Sequence, residues 1–245
     1  MKISSRKIGT NEMPILQSQL FEKEAGIDHF CSMRSYENPG LGIWMPRQVH
    51  GTEIVVVDER TPYDATVELQ PVDADAVITR QPERWIGVRT ADCVPVLLYD
   101  PKNRVIAAVH AGWRGTVKHI TRLTVERMCA STGAVASNIM AMIGPSIGPD
   151  AFEVGEEVAQ SFVDVGRGDC VVRRHYSSIG LISYPKPHVD LWQSNAMDLL
   201  EAGVELDQID CTPWCTTEHP NELFSARKQG IDTGRIVTAI MLKYI

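Results

Sequence analysis

The sequence predicts an α+β protein: a layered sandwich of mixed sheets with helices outside, in one domain. Three observations predict it. Strand-like runs and helical patterns follow one another without the strict alternation of a wound parallel sheet. The two central runs, 94–99 and 105–110, are apolar on both faces, with Val94, Val96 and Leu98 on one and Leu97 and Ile106 on the other. A sheet holding them is covered on both sides. Gly and Pro fall singly at turns, and no repeat or linker interrupts the 245 residues, so one domain spans 1–245.

Strand-like runs occupy residues 42–45, 53–57, 76–79, 85–88, 94–99, 105–110, 139–143 and 236–242. Asp100-Pro101-Lys102-Asn103 carries the residue types of a tight turn between the two central runs. With those four residues as the loop, Tyr99 pairs with Arg104, Leu97 with Ile106, Pro95 with Ala108 and Cys93 with His110. Three helices are expected. The first starts near Thr116 and runs toward Ser131, with Gly133 as its stop; the second covers about 155–165. The third has Asp190 as N-cap and Gly203 just past its end.

Hydrophobic residues at 44% and charged residues at 22% are ordinary for a globular protein. A net charge of -7 gives a nucleic-acid role no support. The opening MKISSRKIGTNEMPI lacks an apolar signal core, and no run approaches the roughly 18 apolar residues of a membrane span, so a cytoplasmic location is expected. Cys31, Cys93, Cys129 and Cys170 are scattered, and Cys211 and Cys215 have no second close pair to complete a structural zinc site. Cys129 reads as a small core residue of the first helix.

In the expected register Cys93 and His110 face each other at the open end of the hairpin. Cross-strand Cβ atoms lie roughly 4.5–5.5 Å apart, which suits two ligands of one zinc ion. A third ligand must come from His29, His50, His119, His175, His188 or His219. His50, in Arg47-Gln48-Val49-His50-Gly51-Thr52 at a Gly-marked turn, is well placed on a rigid frame. His119 reads as helix surface and His188 as loop, and spacing alone leaves the third ligand open. After His110, the Gly112 and Gly115 turn leads into the first helix beside Arg114. Either this is an anion pocket of free N–H groups and a guanidinium, or a plain turn with a surface charge. Asp92 is an acid/base group, an orienting partner or a strand-entry cap, and Asp73 and Asp75 pose the same choice. Lys228 and Arg235 read as surface charges.

Gln48-Val49-His50-Gly51, Thr90-Ala91-Asp92-Cys93-Val94-Pro95, His110-Ala111-Gly112-Trp113-Arg114-Gly115, Gly144-Pro145-Ser146-Ile147-Gly148 and Phe224-Ser225-Ala226-Arg227 occur in that order. Together they resemble the YfiH/LACC1 family, also called laccase-domain or multicopper-polyphenol-oxidoreductase-like, from about Cys31 to the C-terminus. The resemblance implies an α-β-β-α sandwich of two mixed sheets between outer helices, related to bacterial toxin deamidases. It implies a catalytic zinc on His50, Cys93 and His110. It also implies a purine nucleoside phosphorylase acting on adenosine, inosine and methylthioadenosine, with adenosine deaminase activity. The alternative within the family is a peptidoglycan-precursor editing hydrolase that removes misincorporated serine from a UDP-muramoyl intermediate.

On that reading zinc keeps a fourth position for water and lowers its pKa toward 7. Asp92 is the candidate proton carrier, and Arg34, Arg114 and Arg227 are the candidate phosphate clamp. The chain has Met33-Arg34 where the family often has Thr-Arg. It has Leu223-Phe224 and Arg227-Lys228 where the family often has two aromatics and two arginines. Cys215-Thr216 fits the family's Cys-Thr by spacing, with Cys211-Thr212 as a rival. Three readings from other classes compete. A copper polyphenol oxidase (laccase) shares the His-Cys-His set, though no His-X-His pair exists here. A metal-free hydrolase would use Cys93 as nucleophile and His110 as base. A binding module would close a structural zinc with a fourth protein ligand.

Overall fold

The structure, a computed structural model, describes residues 1–8, 11–35, 42–173, 177–178, 181–182, 186–211 and 213–244. His175 and Thr212 lie outside the described residues. Two sheets form the frame. The larger has the spatial order Ile209–Cys211, Met140–Ile143, Val94–Asp100, Val105–Ala111, Ala76–Thr79 and Ile54–Val57. Its outermost pairs are parallel and the rest antiparallel. The smaller has the order Lys2–Ile8, Asn11–Gln17, Ile27–Ser32, Ile236–Leu242 and Ile86–Thr90, antiparallel throughout.

The two apolar faces of the central hairpin have separate partners. Leu97, Ile106 and Ala108 meet Ile86, Val88, Ile236 and Ile240 of the other sheet, so the sheets pack face to face. Val94, Val96, Leu98 and Val109 pack instead against helices. Among the described residues five α-helices are formed: α1 (Trp113–Val117), α2 (Ile120–Thr132), α3 (Glu156–Asp164), α4 (Leu191–Glu201) and α5 (Ala226–Gln229). Ile120, Val125 and Met128 of α2, Phe162 of α3 and Leu199 of α4 cover the larger sheet. Each fully buried Leu, Ile or Val there is worth roughly 1.5–3 kcal/mol relative to exposure. Outside the smaller sheet, Phe30, Val237 and Ala239 pack with Ile43, Met45 and Trp85. The expected α+β class with layered mixed sheets is borne out. Asp190 caps α4 by accepting from Gln193 N–H at 2.9 Å, and Gly133 and Gly203 take positive φ as the stops of α2 and α4 require.

Three expected features differ. The hairpin register is shifted by two: Asp100 pairs with Val105, Tyr99 with Ile106, Leu97 with Ala108 and Pro95 with His110. The cause is Asp100, which stays in the ladder and turns its buried carboxylate onto the loop. It accepts from Lys102 N–H, Asn103 N–H, Asn103 Nδ2 and, across the chain, Val135 N–H, each at 2.9 Å. The loop thus becomes Pro101–Arg104, with Arg104 at φ 52. A two-residue shift keeps every side chain on its face, so the core is unaffected. Second, the first helix is two helices, because His119 sits at φ 59 between α1 and α2. Its Nδ1 contacts buried Asp198 Oδ1 of α4 at 2.8 Å, and Arg167 reaches the same oxygen at 2.7 Å. His119 is therefore the pivot of a polar junction rather than helix surface. Third, 42–45 contributes only a bridge from Trp44 to Ile86.

Asp100→Ala should remove four hydrogen bonds at a fully buried site. The expected loss is on the order of 2–4 kcal/mol, read by denaturant titration.

Candidate metal centre

Strand order brings the candidate ligands together. His110 lies at the end of Val105–Ala111, between Val94–Asp100 and Ala76–Thr79. Cys93 immediately precedes Val94–Asp100, and with the shifted register it stands diagonal to His110 rather than opposite it. Diagonal partners remain within reach of long side chains. His50, at φ 59, tops the turn after the short strand Pro46–Arg47. The ligand atoms of His50, Cys93 and His110 all lie within 4.8 Å of one another, and they are the only such group among the described residues. Cys93 Sγ is 4.0 Å from His50 Nε2, and the two imidazoles meet edge to face with centroids 4.8 Å apart.

Asp75 builds this arrangement. It is fully buried at the start of Ala76–Thr79, and its carbonyl accepts from His110 N–H at 2.7 Å. Its carboxylate accepts from His110 Nδ1 at 2.8 Å and from the backbone N–H groups of His50 (2.9 Å), Gly51 (2.6 Å) and Val49 (3.3 Å). One carboxylate therefore sets the His110 ring, with Nδ1 engaged and Nε2 left for a metal, and ties down the turn that carries His50. Burial favours the uncharged Asp75 carboxyl, but the His110 bond and the Gly51 and His50 amides outweigh it and hold the group below its usual range.

The donor set fits a metal. Burial raises the Cys93 thiol, yet hydrogen bonds and positive charge from His110 and His50 bring it down to about 6, so thiolate prevails at neutral pH. Burial lowers the His110 pKa, while Asp75 and the Cys93 thiolate raise it to about 9. A cation seated there takes the place of that proton. Gly112 faces Cys93 across the hairpin, and a Cβ on it would fall 3.0 Å from His50 Cδ2 and 3.2 Å from Cys93 Sγ. The glycine leaves the room that the ligands use. Gly112→Ala should weaken zinc binding roughly tenfold or more, in the range of outer-shell lesions, without unfolding the chain. Competition with a zinc chelator measures it.

Residues 31–243 match the family described as multi-copper polyphenol oxidoreductase laccase. The chain belongs to this family, the YfiH/LACC1 family. A purine nucleoside phosphorylase of Bacteroides thetaiotaomicron is 40% identical over 200 residues, covering 81% of this chain and 72% of its own length. Adenosine deaminase RL5, from an unknown prokaryotic organism, is 40% identical over 206 residues, covering 81% and 74%. The crystal structure of a Bacillus licheniformis hypothetical protein, YfiH, superposes with a TM-score of 0.80 at 20% identity, covering 97% of this chain and 98% of that one. No helix among the described residues is long and apolar enough to cross a membrane.

The other motif residues of this YfiH/LACC1 member are placed as follows. Asp92, at φ 86, accepts from Thr216 Oγ1 at 2.5 Å and from Arg227 N–H at 2.6 Å. It joins the Cys93 turn to the segment Cys215-Thr216 and to the start of α5. Cys211 instead ends the edge strand of the larger sheet. Arg227 Nη1 donates to Glu153 O at 3.0 Å, Arg34 lies over Phe224 at 4.4 Å, and Arg114 lies over Trp113 at 4.2 Å. None of these three arginines lines the cavity of about 240 Å³ onto which His50, Cys93 and His110 open. Its wall carries Arg89 and Arg235 instead. Arg89 stands four residues before Cys93, a proximity signal that the sequence did offer. Arg235 was indistinguishable there from a surface charge.

Proposed function

We propose that the chain is a zinc-dependent purine nucleoside phosphorylase that also deaminates adenosine. The observation that carries this reading is the His50–Cys93–His110 group, oriented by Asp75, in the lining of a cavity of about 240 Å³. Relatives named for both activities at 40% identity support it. A group of three ligands suits one ion rather than the cluster of a multicopper oxidase.

A zinc ion held by these ligands would keep one position open and lower the pKa of a water there toward 7. Leu69, Ala226 and Ile231 give the cavity apolar surface for a flat base. In phosphorolysis a phosphate oxygen bonds to ribose C1′ as the C1′–N9 bond breaks, and the purine departs with the electron pair and takes a proton. In deamination water adds at C6 and ammonia leaves. Asp92, with both oxygens engaged by Thr216 and Arg227, holds the Cys93 turn in place.

Zinc-loaded protein should convert adenosine to adenine and ribose 1-phosphate when phosphate is present, and to inosine without it. Chelation should stop both reactions and zinc should restore them. Neither product from zinc-loaded protein, or full turnover after chelation, contradicts the reading.

A further inference from the structure

We infer that Arg89 and Arg235 form the seat for a phosphate group beside the metal centre. The inference rests on the phosphorolytic reading above for its choice of ligand, but not for its geometry. The chain carries a net charge of -7, yet this cavity wall holds two guanidinium groups and no carboxylate. Such a wall selects an anion.

The smaller sheet brings these groups together. Arg89 pairs with Val237 and Thr90 with Ile236, so Arg235 follows at the next position along the ladder, diagonal to Arg89. Diagonal positions share a face. Both arginines are anchored. Arg235 donates from Nη2 to Ile231 O at 2.9 Å and from Nη1 to Gly234 O at 3.1 Å and to Thr233 O, which fixes its guanidinium plane. The backbone of Arg89 is gripped on both sides by Gln48, which accepts from Arg89 N–H at 2.9 Å and donates to Arg89 O at 2.8 Å. Its guanidinium is met by Glu68, an exposed carboxylate outside the wall. Thr90, next along the strand, turns its side chain to the opposite face, toward Ile236 and the space between the sheets, so the two arginines alone supply the charged groups of this wall. Glu68 thus competes with the ligand for Arg89.

The test is calorimetric titration of the zinc-loaded full chain with inorganic phosphate, and separately with uridine 5′-diphosphate, beside phosphate kinetics. Arg89→Gln and Arg235→Gln should each raise the phosphate Kd at least about tenfold, the effect of one lost charge-assisted bond. The KM for phosphate should rise far more than the KM for adenosine. Glu68→Gln lies on the surface and leaves folding intact, and it should tighten phosphate about threefold by freeing Arg89. Tight binding of the nucleotide alone, lost in both arginine variants, would support the seat while defeating the phosphorolytic reading. Binding of neither ligand, or arginine and Glu68 variants that bind like the parent, overturns the seat.

Discussion

Cys93→Ala is expected to empty the metal centre and to abolish turnover of adenosine in the same step. Zinc content should fall from one per chain to below about a tenth, and activity by on the order of a thousandfold or more. Sulfur is the only anionic donor of the three, and its pKa of about 6 makes it a ready thiolate. Without it, two imidazoles remain, one of them exposed. The variant should still fold, because Cys93 lies outside the packed clusters of the two sheets. The experiment is informative when paired with chelation of the unaltered protein. A metal site loses activity both ways. A thiol nucleophile with His110 as base loses it only on substitution and keeps it after zinc is stripped. Elemental analysis with a deamination assay gives both readouts.

Asp75→Asn should cost nearly as much through a residue that touches no substrate. Its carboxylate accepts from three backbone amides and one imidazole. A carboxamide keeps the size but turns one oxygen into a donor facing donors. Zinc affinity should fall about 10–100-fold, and the metal-free chain should lose on the order of 3 kcal/mol. The sign of the pH dependence follows from the depressed folded-state pKa of Asp75. Its stabilisation is present above the unfolded value of about 3.9 and is lost as pH falls through the folded value. The stability gap between parent and variant should therefore be full at pH 7 and narrow below about pH 4. Guanidinium titrations of both metal-free proteins at several pH values measure it. An equal gap at every pH would assign Asp75 a packing role alone.

Cys93 and His110 stood out in the sequence as a candidate pair because both lie at strand ends, whereas spacing left the third candidate ligand open and the family resemblance singled out His50. The apolar two-faced hairpin, the N-cap Asp190 and the stop Gly133 were legible because local chemistry decides them. What escaped depends on partners far along the chain. Asp100 reset the hairpin register through a bond to Val135, and Asp198 held His119 in the conformation that breaks the first helix. Asp75 showed only as one acid in a run of two. Its importance appears once Ala76–Thr79 is seen to pair with Val105–Ala111 and to face the His50 turn. Lys2–Ile8 and Asn11–Gln17 carry too little apolar alternation to announce a hairpin, and pairing with Ile27–Ser32 completes them. Arg89 and Arg235 are neighbours only through the pairing of the last strand with Ile86–Thr90.

The most direct measurement is X-ray absorption at the zinc edge on the protein as purified and saturated with zinc. One zinc per chain is expected, with two nitrogen neighbours from imidazole, one sulfur neighbour and one further light atom, and the sulfur signal should be lost in Cys93→Ala. A zinc without sulfur in its shell, or a chain that binds none and still turns over adenosine, would contradict that expectation.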